Sequence, residues 1–340
     1  MNVKKYFAVM CAAMMMASSF AGCGASGSAE AEGSTSEGGE TTTTESTEST
    51  ETTGGSVEEL TFGVLAPLTG NASVYGNSTK NGIELGMEDI NANGGKLSIE
   101  VLDEKGEEAE AVNAYNMLMQ KGVDAIVGDV TSKPSIAVAD YAATDYEDGI
   151  GVPVITPTGT AADITLKGDN IFRACFLDPF QGTVLANFAM DNFDAQVAYC
   201  LGEAGNEYDQ GLIAYFTQAF EAAGGTVITD SFPTNNSDFN TYLNKAKSEG
   251  ADVIFTPVSI AYATQILSQA ASLGIEAPFL GSDTLDDNMV LEAISGTDIQ
   301  LYVSTFYQEG GNADFDAGIK EYINTAEGAL DANGGNDTIA

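Results

Sequence analysis

Short apolar segments alternate with longer amphipathic segments through most of this 340-residue sequence. Leu60–Leu65 predicts a strand, and residues 78–91 predict a helix with Ile83, Met87 and Ile90 on one face. Repeated strand–helix–strand alternation is typical of parallel sheets that are covered by helices on both faces. The sequence therefore predicts an α/β fold.

The alternation occurs in two successive series of similar size. The first series ends with a strand predicted over residues 149–155, and the second begins near Asp178 and ends with the strand Leu301–Thr305. Two such series predict two Rossmann-like lobes joined by a hinge, with a ligand in the cleft between them. Such sheets bind ligands beyond the carboxyl ends of their strands, so the turns at that edge are the first candidates for a site.

The segment Pro153–Thr160 is the strongest candidate among these turns. Val154 and Ile155 form the end of a strand, and Pro157 ends it because proline lacks the N–H that a ladder needs. Threonine hydroxyls surround this proline, and Gly159 allows a ligand to approach the backbone closely. This segment alone leaves two interpretations open, a ligand-binding turn and a turn that only reverses the chain.

The composition excludes two classes of function. With 50 acidic and 12 basic residues the formal net charge is −38, which repels nucleic acid. The chain has no histidine, no CxxC or HExxH pattern and no glycine-rich nucleotide-binding motif. The sequence thus predicts a binding protein without metal or cofactor rather than an enzyme. Cys175 and Cys200 are expected to be small core residues, with a disulfide as the alternative.

The N-terminus predicts export. The first five residues include two lysines, and Tyr6–Ala17 is an apolar run too short to cross a bilayer comfortably. The segment Phe20-Ala-Gly-Cys23 resembles the cleavage site of a bacterial lipoprotein signal. This resemblance implies a signal peptide over residues 1–22 and a lipid on the sulfur of Cys23. The alternative is an ordinary secretory signal with an incidental cysteine.

Residues 23–56 predict a lipidated cysteine followed by a disordered tether. After the cysteine they consist almost entirely of Ser, Thr, Glu, Gly and Ala, which cannot bury enough apolar surface to become ordered. A flexible chain of this length reaches roughly 30 Å. Lipid and tether together predict an extracytoplasmic protein that is anchored to the bacterial cell membrane.

The body of the chain resembles a known family in the order and spacing of many short segments. The segments are Phe62–Gly70, Val74–Gly76, Asn81–Glu84, Asp89–Gly95, Leu102-Asp103, Ile126–Gly128, Val154–Pro157, Phe172-Arg173, Asp178, Gln181-Gly182, Phe220–Gly225, Asp238-Phe239, Ala277–Asp283 and Tyr302-Val303. They resemble the branched-chain amino-acid binding proteins, which are type I substrate-binding proteins of ABC importers. The resemblance implies the periplasmic binding-protein fold.

The family's ligand contacts are implied where positions match. Ser132 and Thr160 match positions that bind the α-carboxylate of the ligand, and the backbone carbonyl of Thr158 matches an acceptor for its ammonium group. A helix start at Ser132 suits an anion because its N–H groups are free, and a plain N-cap is the compatible alternative. Asp283 matches the acidic counter-ion of the ammonium group, although an Asp after Gly-Ser is otherwise a turn residue.

Three further positions are implied as walls of the pocket. Tyr75 and Tyr208 match aromatic residues that enclose the ligand from the two domains. Ser259 lies where relatives frequently carry a tyrosine, and this substitution enlarges or polarises the pocket. The expected ligand is therefore an amino acid, branched-chain or polar, or an amide-like small molecule.

The resemblance also implies an organisation into lobes and a function. Lobe 1 is expected over residues 57–176, lobe 2 over residues 177–304, and a truncated return to lobe 1 over residues 305–340, since relatives continue further. The implied function is a lipoprotein that captures its ligand by hinge closure and delivers it to the permease subunits of an ABC transporter. The alternative is a receptor domain of the same fold that senses a ligand for a membrane partner.

Overall fold

The first series of strands forms a parallel five-stranded sheet. The computed structural model describes residues 58–325. The strands of this sheet are β1 (Leu60–Ala66), β2 (Leu97–Asp103), β3 (Ala125–Val127), β4 (Val154–Thr156) and β5 (Ile171–Arg173). They lie side by side in the order β2-β1-β3-β4-β5, and each neighbouring pair is parallel.

A second sheet repeats this arrangement. Its strands are β6 (Val197–Glu203), β7 (Thr226–Phe232), β8 (Val253–Phe255), β9 (Phe279–Gly281) and β10 (Leu301–Val303). Their order from one edge is β7-β6-β8-β9-β10, which is the order of the first sheet, and the pairs are again parallel. We refer to the parts built on the two sheets as lobe 1 and lobe 2. The predicted two-lobed α/β fold is confirmed.

Helices connect consecutive strands, except that β4 and β5 are joined by a loop with a three-residue 3-10 helix, Ile164–Leu166. In chain order they are α1 (Ser73–Ala92), α2 (Glu108–Lys121), α3 (Ser132–Glu147), α4 (Asp178–Phe193), α5 (Glu207–Ala222), α6 (Asn240–Ser248), α7 (Ile260–Ser272), α8 (Asn288–Ile294) and α9 (Ala313–Thr325). Parallel neighbours need such crossovers because a tight turn cannot bring the chain back to the same end of the sheet.

The strands of lobe 2 are buried on both faces. Tyr199 and Ile254 belong to an apolar cluster formed with α6, α7 and α8, whereas Cys200 and Phe255 belong to one formed with α4 and α5. Successive side chains of a strand point to opposite faces, so two layers of helices are needed to exclude water. The Phe255 ring stacks on Phe216 of α5 with 4.5 Å between the ring centroids.

Some boundaries differ from the prediction. Helix α1 begins at Ser73, five residues before the predicted start at residue 78. Gly76 permits this, because a Cβ there would lie 2.1 Å from the carbonyl oxygen of Pro67, so only glycine lets the first turn pack on the loop after β1. Strand β4 is limited to Val154–Thr156, shorter than the predicted 149–155, and it ends directly before Pro157 as predicted.

Two elements were missed by the prediction. In strand β5 only Ile171 and Phe172 are apolar, and they lie between Asn170 and Arg173, so no apolar run marks the strand. Helix α9 does carry a helical period in Phe315, Ile319 and Ile323, and Gly318 weakens that signal. In this helix burial and the carboxylates of Glu84 and Glu88 on α1 raise the pKa of Tyr322.

Other predictions concern the cysteines and the domain boundaries. Cys175 and Cys200 are both free thiols, so no disulfide joins them, and Cys200 is a fully buried core residue. Cys175 is only half-buried. The predicted signal peptide and tether lie outside the described residues, and the boundaries of the lobes stay predictions.

Lobe 1 contains a buried pair of carboxyl groups. Glu104 follows β2 and Asp129 follows β3, with 0% and 1% of their surface exposed. Glu104 Oε2 accepts the N–H of Gly106 at 2.8 Å, and Asp129 Oδ1 accepts the N–H of Val130 at 2.8 Å. The other oxygens, Glu104 Oε1 and Asp129 Oδ2, have no further donor within residues 58–325, and the two groups are close enough to share a proton. Burial raises the pKa of both carboxyls, that of Glu104 to about 7.

We expect this pair to make the protein less stable at neutral pH than at mildly acidic pH. Between the ordinary carboxyl range and about pH 7 the folded state keeps a proton that the unfolded state has lost, so the free energy of unfolding falls as the pH rises. The loss is about 1.4 kcal/mol for each unit by which the folded pKa exceeds the unfolded one. Glu104→Gln keeps an acceptor oxygen and gives Asp129 a hydrogen-bond donor that does not titrate. From acidic to neutral pH, the melting temperature of this variant should therefore fall less than that of the wild-type protein.

Thermal melts followed by circular dichroism at about pH 5, within that window, and at about pH 8, above it, measure this difference. Glu147→Gln is the matched control, because Glu147 lies exposed at the end of α3 in the same lobe. If the Glu104 variant loses as much stability as the wild-type protein and the control, the pair does not titrate as described.

Candidate functional site

Four of the predicted site residues lie where the strand order of each sheet reverses. In lobe 1, Tyr75 lies on the helix after β1 and Ser132 on the helix after β3. In lobe 2, Tyr208 and Ser259 follow the equivalent strands β6 and β8. Doubly wound sheets bind ligands in the crevice at this switch point. The topology therefore brings these positions to the edge that binds ligands.

The turn after β4 adds threonines to the lobe 1 half of the site. The hydroxyl of Thr156 donates to the carbonyl of Asp129 at 2.6 Å, and that of Thr158 donates to the carbonyl of Val130 at 2.8 Å. The N–H of Gly159 donates back to Thr156 Oγ1 at 2.8 Å. These bonds fix the threonine turn against the loop that leads into α3.

The start of α3 presents backbone donors to this turn. Thr131 occupies the N-cap position with extended dihedral angles, and Ser132 is the first helical residue, with 4% of its surface exposed. The interpretation of Ser132 as the N-cap is therefore wrong. N–H groups in the first turn of a helix have no partner within the helix and attract an anion. Pro134 has no N–H and the N–H of Ser135 donates to the Thr131 carbonyl, so the N–H groups of Ser132 and Lys133, with the Ser132 hydroxyl, are the donors here that suit a carboxylate.

Arg173, the only arginine in the sequence, holds the threonine turn. Its guanidinium donates to the carbonyls of Gly159 and Ala161, the latter at 2.6 Å. These residues flank Thr160, so the planar fork fixes the backbone on both sides of a predicted ligand-binding position. The prediction gave Arg173 no role in the site. The available signal was a single arginine, at the end of a strand, in a strongly acidic chain.

Thr160 lies beside a second residue that had no predicted role, Asp178. The N–H of Asp178 donates to the carbonyl of Thr160 at 3.0 Å, and each residue is 1% exposed. Burial raises the pKa of Asp178 to about 7, while the nearby Thr160 hydroxyl lowers it. Within residues 58–325 neither Thr160 Oγ1 nor Asp178 Oδ1 completes a well-formed hydrogen bond. The two side chains are thus each other's nearest polar neighbours at this buried position.

Asp283 is the acidic residue of the lobe 2 half. Its carboxylate accepts the hydroxyl of Tyr208 at 2.5 Å, and its N–H donates to Gln181 Oε1 at 2.9 Å. Burial raises the pKa of Asp283, while the Tyr208 hydroxyl and the Gln181 amide lower it. No lysine or arginine pairs with this carboxylate in the described part of the chain. A carboxylate removed from water without a basic partner is suited to a cationic group of a ligand.

Tyr75 joins the two lobes. Its hydroxyl accepts the N–H of Ile260 at 2.9 Å and donates to the carbonyl of Thr284 at 3.1 Å. Ile260 follows Ser259 and Thr284 follows Asp283, so one side chain of lobe 1 contacts both predicted site turns of lobe 2. The structure therefore has the lobes in contact at the site.

Ser259 is connected to the site only through its neighbour Ile260. It occupies the N-cap position of α7, but its hydroxyl does not cap the helix. The side chain is half-buried. The structure joins Tyr208 directly to Asp283 and holds Thr158 and Thr160 in one hydrogen-bonded turn, whereas the Ser259 hydroxyl takes part in none of these bonds. Ligand binding by each of the seven residues stays a prediction.

Residues 58–325 show neither a metal-binding cluster nor a membrane-spanning helix. Among residues 58–325, no three His, Cys, Asp or Glu side chains are grouped in a way that could hold a metal ion. None of the helices found there combines the length and the apolar character that a bilayer span requires. The predicted lipid anchor, Cys23, lies outside these residues.

The chain is similar to proteins of known family. Residues 59–335 match the model of the periplasmic binding protein family. The Leu/Ile/Val-binding protein BraC3 of Rhizobium johnstonii is 32% identical over 235 residues, which cover 67% of this chain and 62% of that protein. The chain thus spans less than two thirds of the length of this relative.

Two solved structures have the same fold. The leucine-binding protein LivK of Thermotoga maritima has a TM-score of 0.72 and 28% identity, over 78% of this chain and 76% of that one. LivJ of Streptococcus pneumoniae, solved in complex with isoleucine, has a TM-score of 0.70 and 25% identity over 82% of each chain. These proteins confirm the predicted resemblance and the prediction that the chain is not an enzyme. The chain belongs to the periplasmic binding protein family.

Proposed function

We propose that this protein captures a branched-chain amino acid between its lobes and delivers it to the permease of an ABC transporter. The observation that carries the proposal is the chemistry of the two facing halves. Lobe 1 offers neutral donors at the start of α3 and at Thr160, whereas lobe 2 offers the carboxylate of Asp283. A zwitterion needs both halves at once, so it binds best when the lobes are together.

The carboxylate of the ligand would bind in lobe 1. The first N–H groups of α3 and the hydroxyls of Ser132 and Thr160 are donors without a full charge, and Arg173 already donates to two backbone carbonyls. Such donors bind an anion through aligned dipoles. The ammonium group would bind the Asp283 carboxylate and the Thr158 carbonyl, as the resemblance implies. The names of LivJ and BraC3 support a branched aliphatic side chain.

Hinge closure supplies the mechanism. A ligand shifts the equilibrium between open and closed lobes only by its differential affinity for the two states. A zwitterion that bridges both halves has this differential affinity, because the open protein offers it one half at a time. Tyr75 adds hydrogen bonds that exist only when the lobes are together.

Attachment to the membrane is part of the same proposal. A lipid on Cys23 and the tether that follows would hold the lobes outside the cytoplasm and within reach of a permease. Metabolic labelling with a fatty-acid analogue tests the anchor. We expect the label on the wild-type protein and none on Cys23→Ser, and label on both would contradict this site of lipidation.

A ligand screen tests the function. Leucine, isoleucine and valine should raise the melting temperature of the full-length protein, because a ligand that binds only the folded state stabilises it. The matched control is 4-methylpentanoate, which has the carboxylate and side chain of leucine but no ammonium group. A shift with this acid as large as with leucine would contradict a site for amino acids, as would no shift with any of the twenty amino acids.

Asp283→Asn is expected to weaken leucine binding by about 2–5 kcal/mol, at least roughly 30-fold, because the ammonium group would lose its only anionic partner. Isothermal titration calorimetry measures the dissociation constant. Asp298→Asn in the same lobe is the control, since Asp298 is exposed. Equal affinity in the two variants would remove Asp283 from the site.

Tyr75→Phe is expected to favour the open state. The ring remains, but the bonds to Ile260 and Thr284 are lost, and leucine affinity should fall by up to about tenfold. Small-angle X-ray scattering of the ligand-free protein should show a larger radius of gyration. Tyr141→Phe is the control, because Tyr141 is an exposed tyrosine on lobe 1. The same radius and affinity in both variants would contradict this role of Tyr75.

A further inference from the structure

Gln181 connects the predicted ammonium site to the segment that leaves lobe 2. It lies in the first turn of α4 with 2% of its surface exposed. Its Oε1 accepts the N–H of Asp283 at 2.9 Å and also accepts the hydroxyl of Ser304. Ser304 comes directly after β10, where the chain leads away from the second sheet. One side-chain oxygen therefore holds two separate segments together.

The other end of this amide faces the same carboxylate. Gln181 Nε2 is buried and completes no hydrogen bond among residues 58–325. The amide nevertheless lies close enough to the Asp283 carboxyl to lower its pKa. A buried N–H without a partner is costly, so this geometry is favourable only when an anion stays beside it. The acidic group that the structure places near it is the carboxyl of Asp283.

We infer that Gln181 is a positioning residue, which holds Asp283 in place and in its ionised form for the ammonium group of the ligand. The inference depends on the proposed ammonium site. Gln181 is not among the predicted ligand contacts. Its inferred effect is on the charge of Asp283 and not on packing alone.

Several other groups also affect the pKa of Asp283, and their effects must be separated from that of Gln181. Tyr208 donates to its carboxylate at 2.5 Å and lowers its pKa, whereas the charge of Asp286 raises it. The remaining titratable groups that interact with Asp283 electrostatically are Tyr75, Cys175 and Asp178. All of them remain unchanged when only Gln181 is substituted, so a change in the pKa of Asp283 reports the loss of the amide.

Gln269 provides a matched control for packing. Its side chain in α7 also joins two backbone groups, since Oε1 accepts the N–H of Phe239 at 2.7 Å and Nε2 donates to the carbonyl of Ser237 at 2.9 Å. This amide lies in the same lobe and has no acidic side chain as its partner in these bonds. Gln181→Met and Gln269→Met therefore remove comparable hydrogen bonds, and only the first removes a donor next to Asp283.

Carbon-13 NMR of the side-chain carboxyls in the ligand-free, full-length protein tests the inference directly. The Asp283 signal is assigned by its loss in Asp283→Asn. We expect the pKa of Asp283 to rise by about one unit in Gln181→Met, the scale of one lost hydrogen bond to a charge, and to stay unchanged in Gln269→Met. No rise in Gln181→Met, or an equal rise in both variants, would overturn the inference. Gln181→Asn, whose amide is too short to reach Asp283, gives the same test if the Met variant does not fold.

Leucine binding as a function of pH gives a second readout. The acidic limb of the affinity profile should move to higher pH in Gln181→Met and stay in place in Gln269→Met, because binding needs ionised Asp283. If Asp283→Asn binds leucine as well as the wild-type protein does, the proposed ammonium site fails while the NMR result still decides the role of Gln181. If Asp283→Asn weakens binding and Gln181→Met leaves the limb in place, only the role of Gln181 fails.

Discussion

All neighbouring strands in each sheet run in the same direction, and the rest of the molecule depends on this constraint. A parallel pair needs a crossover, which in most cases here is a helix, so most strands lead into a polar turn and a helix start at one edge of the lobe. Ser132, Thr160, Tyr208 and Asp283 come from four different connections, yet the topology gathers them at two facing edges. The sheets thus set where the site lies, and the side chains determine only what it binds there.

The net charge decides how each end of a ligand can be recognised. In a chain with a formal charge of −38 an anionic group meets general repulsion, and the one arginine is bonded to backbone carbonyls. Recognition of a carboxylate is therefore left to N–H groups and hydroxyls held in place beforehand. A cationic group is attracted instead, because Asp283 is half-buried and has no basic partner in the described part of the chain. Neutral donors in lobe 1 would thus bind one end of the ligand, and an acid in lobe 2 would bind the other.

The sequence supports the fold more firmly than it supports the site. Local periodicity is enough to predict most strands and helices, because each period reflects a face buried against its neighbours. It fails for β5, whose two apolar residues lie between polar ones. The threonine turn was predicted from a local pattern and the other site residues from resemblance, whereas Gln181 and the Glu104–Asp129 pair act through contacts between distant segments that no local pattern records. The hydroxyl of Tyr75 likewise finds partners 185 and 209 positions away.

The fork of Arg173 bears on how a protein of this kind can change what it recognises. Because a side chain rather than a ligand holds the carbonyls on either side of Thr160, the turn has its shape before anything binds, and little ordering remains to oppose binding. A lysine could not replace it, since one ammonium group lacks the planar pair of donors. Ser259 is free of such bonds. The surface that would read what all amino acids have in common is therefore rigid, whereas the surface that would tell them apart can change one residue at a time.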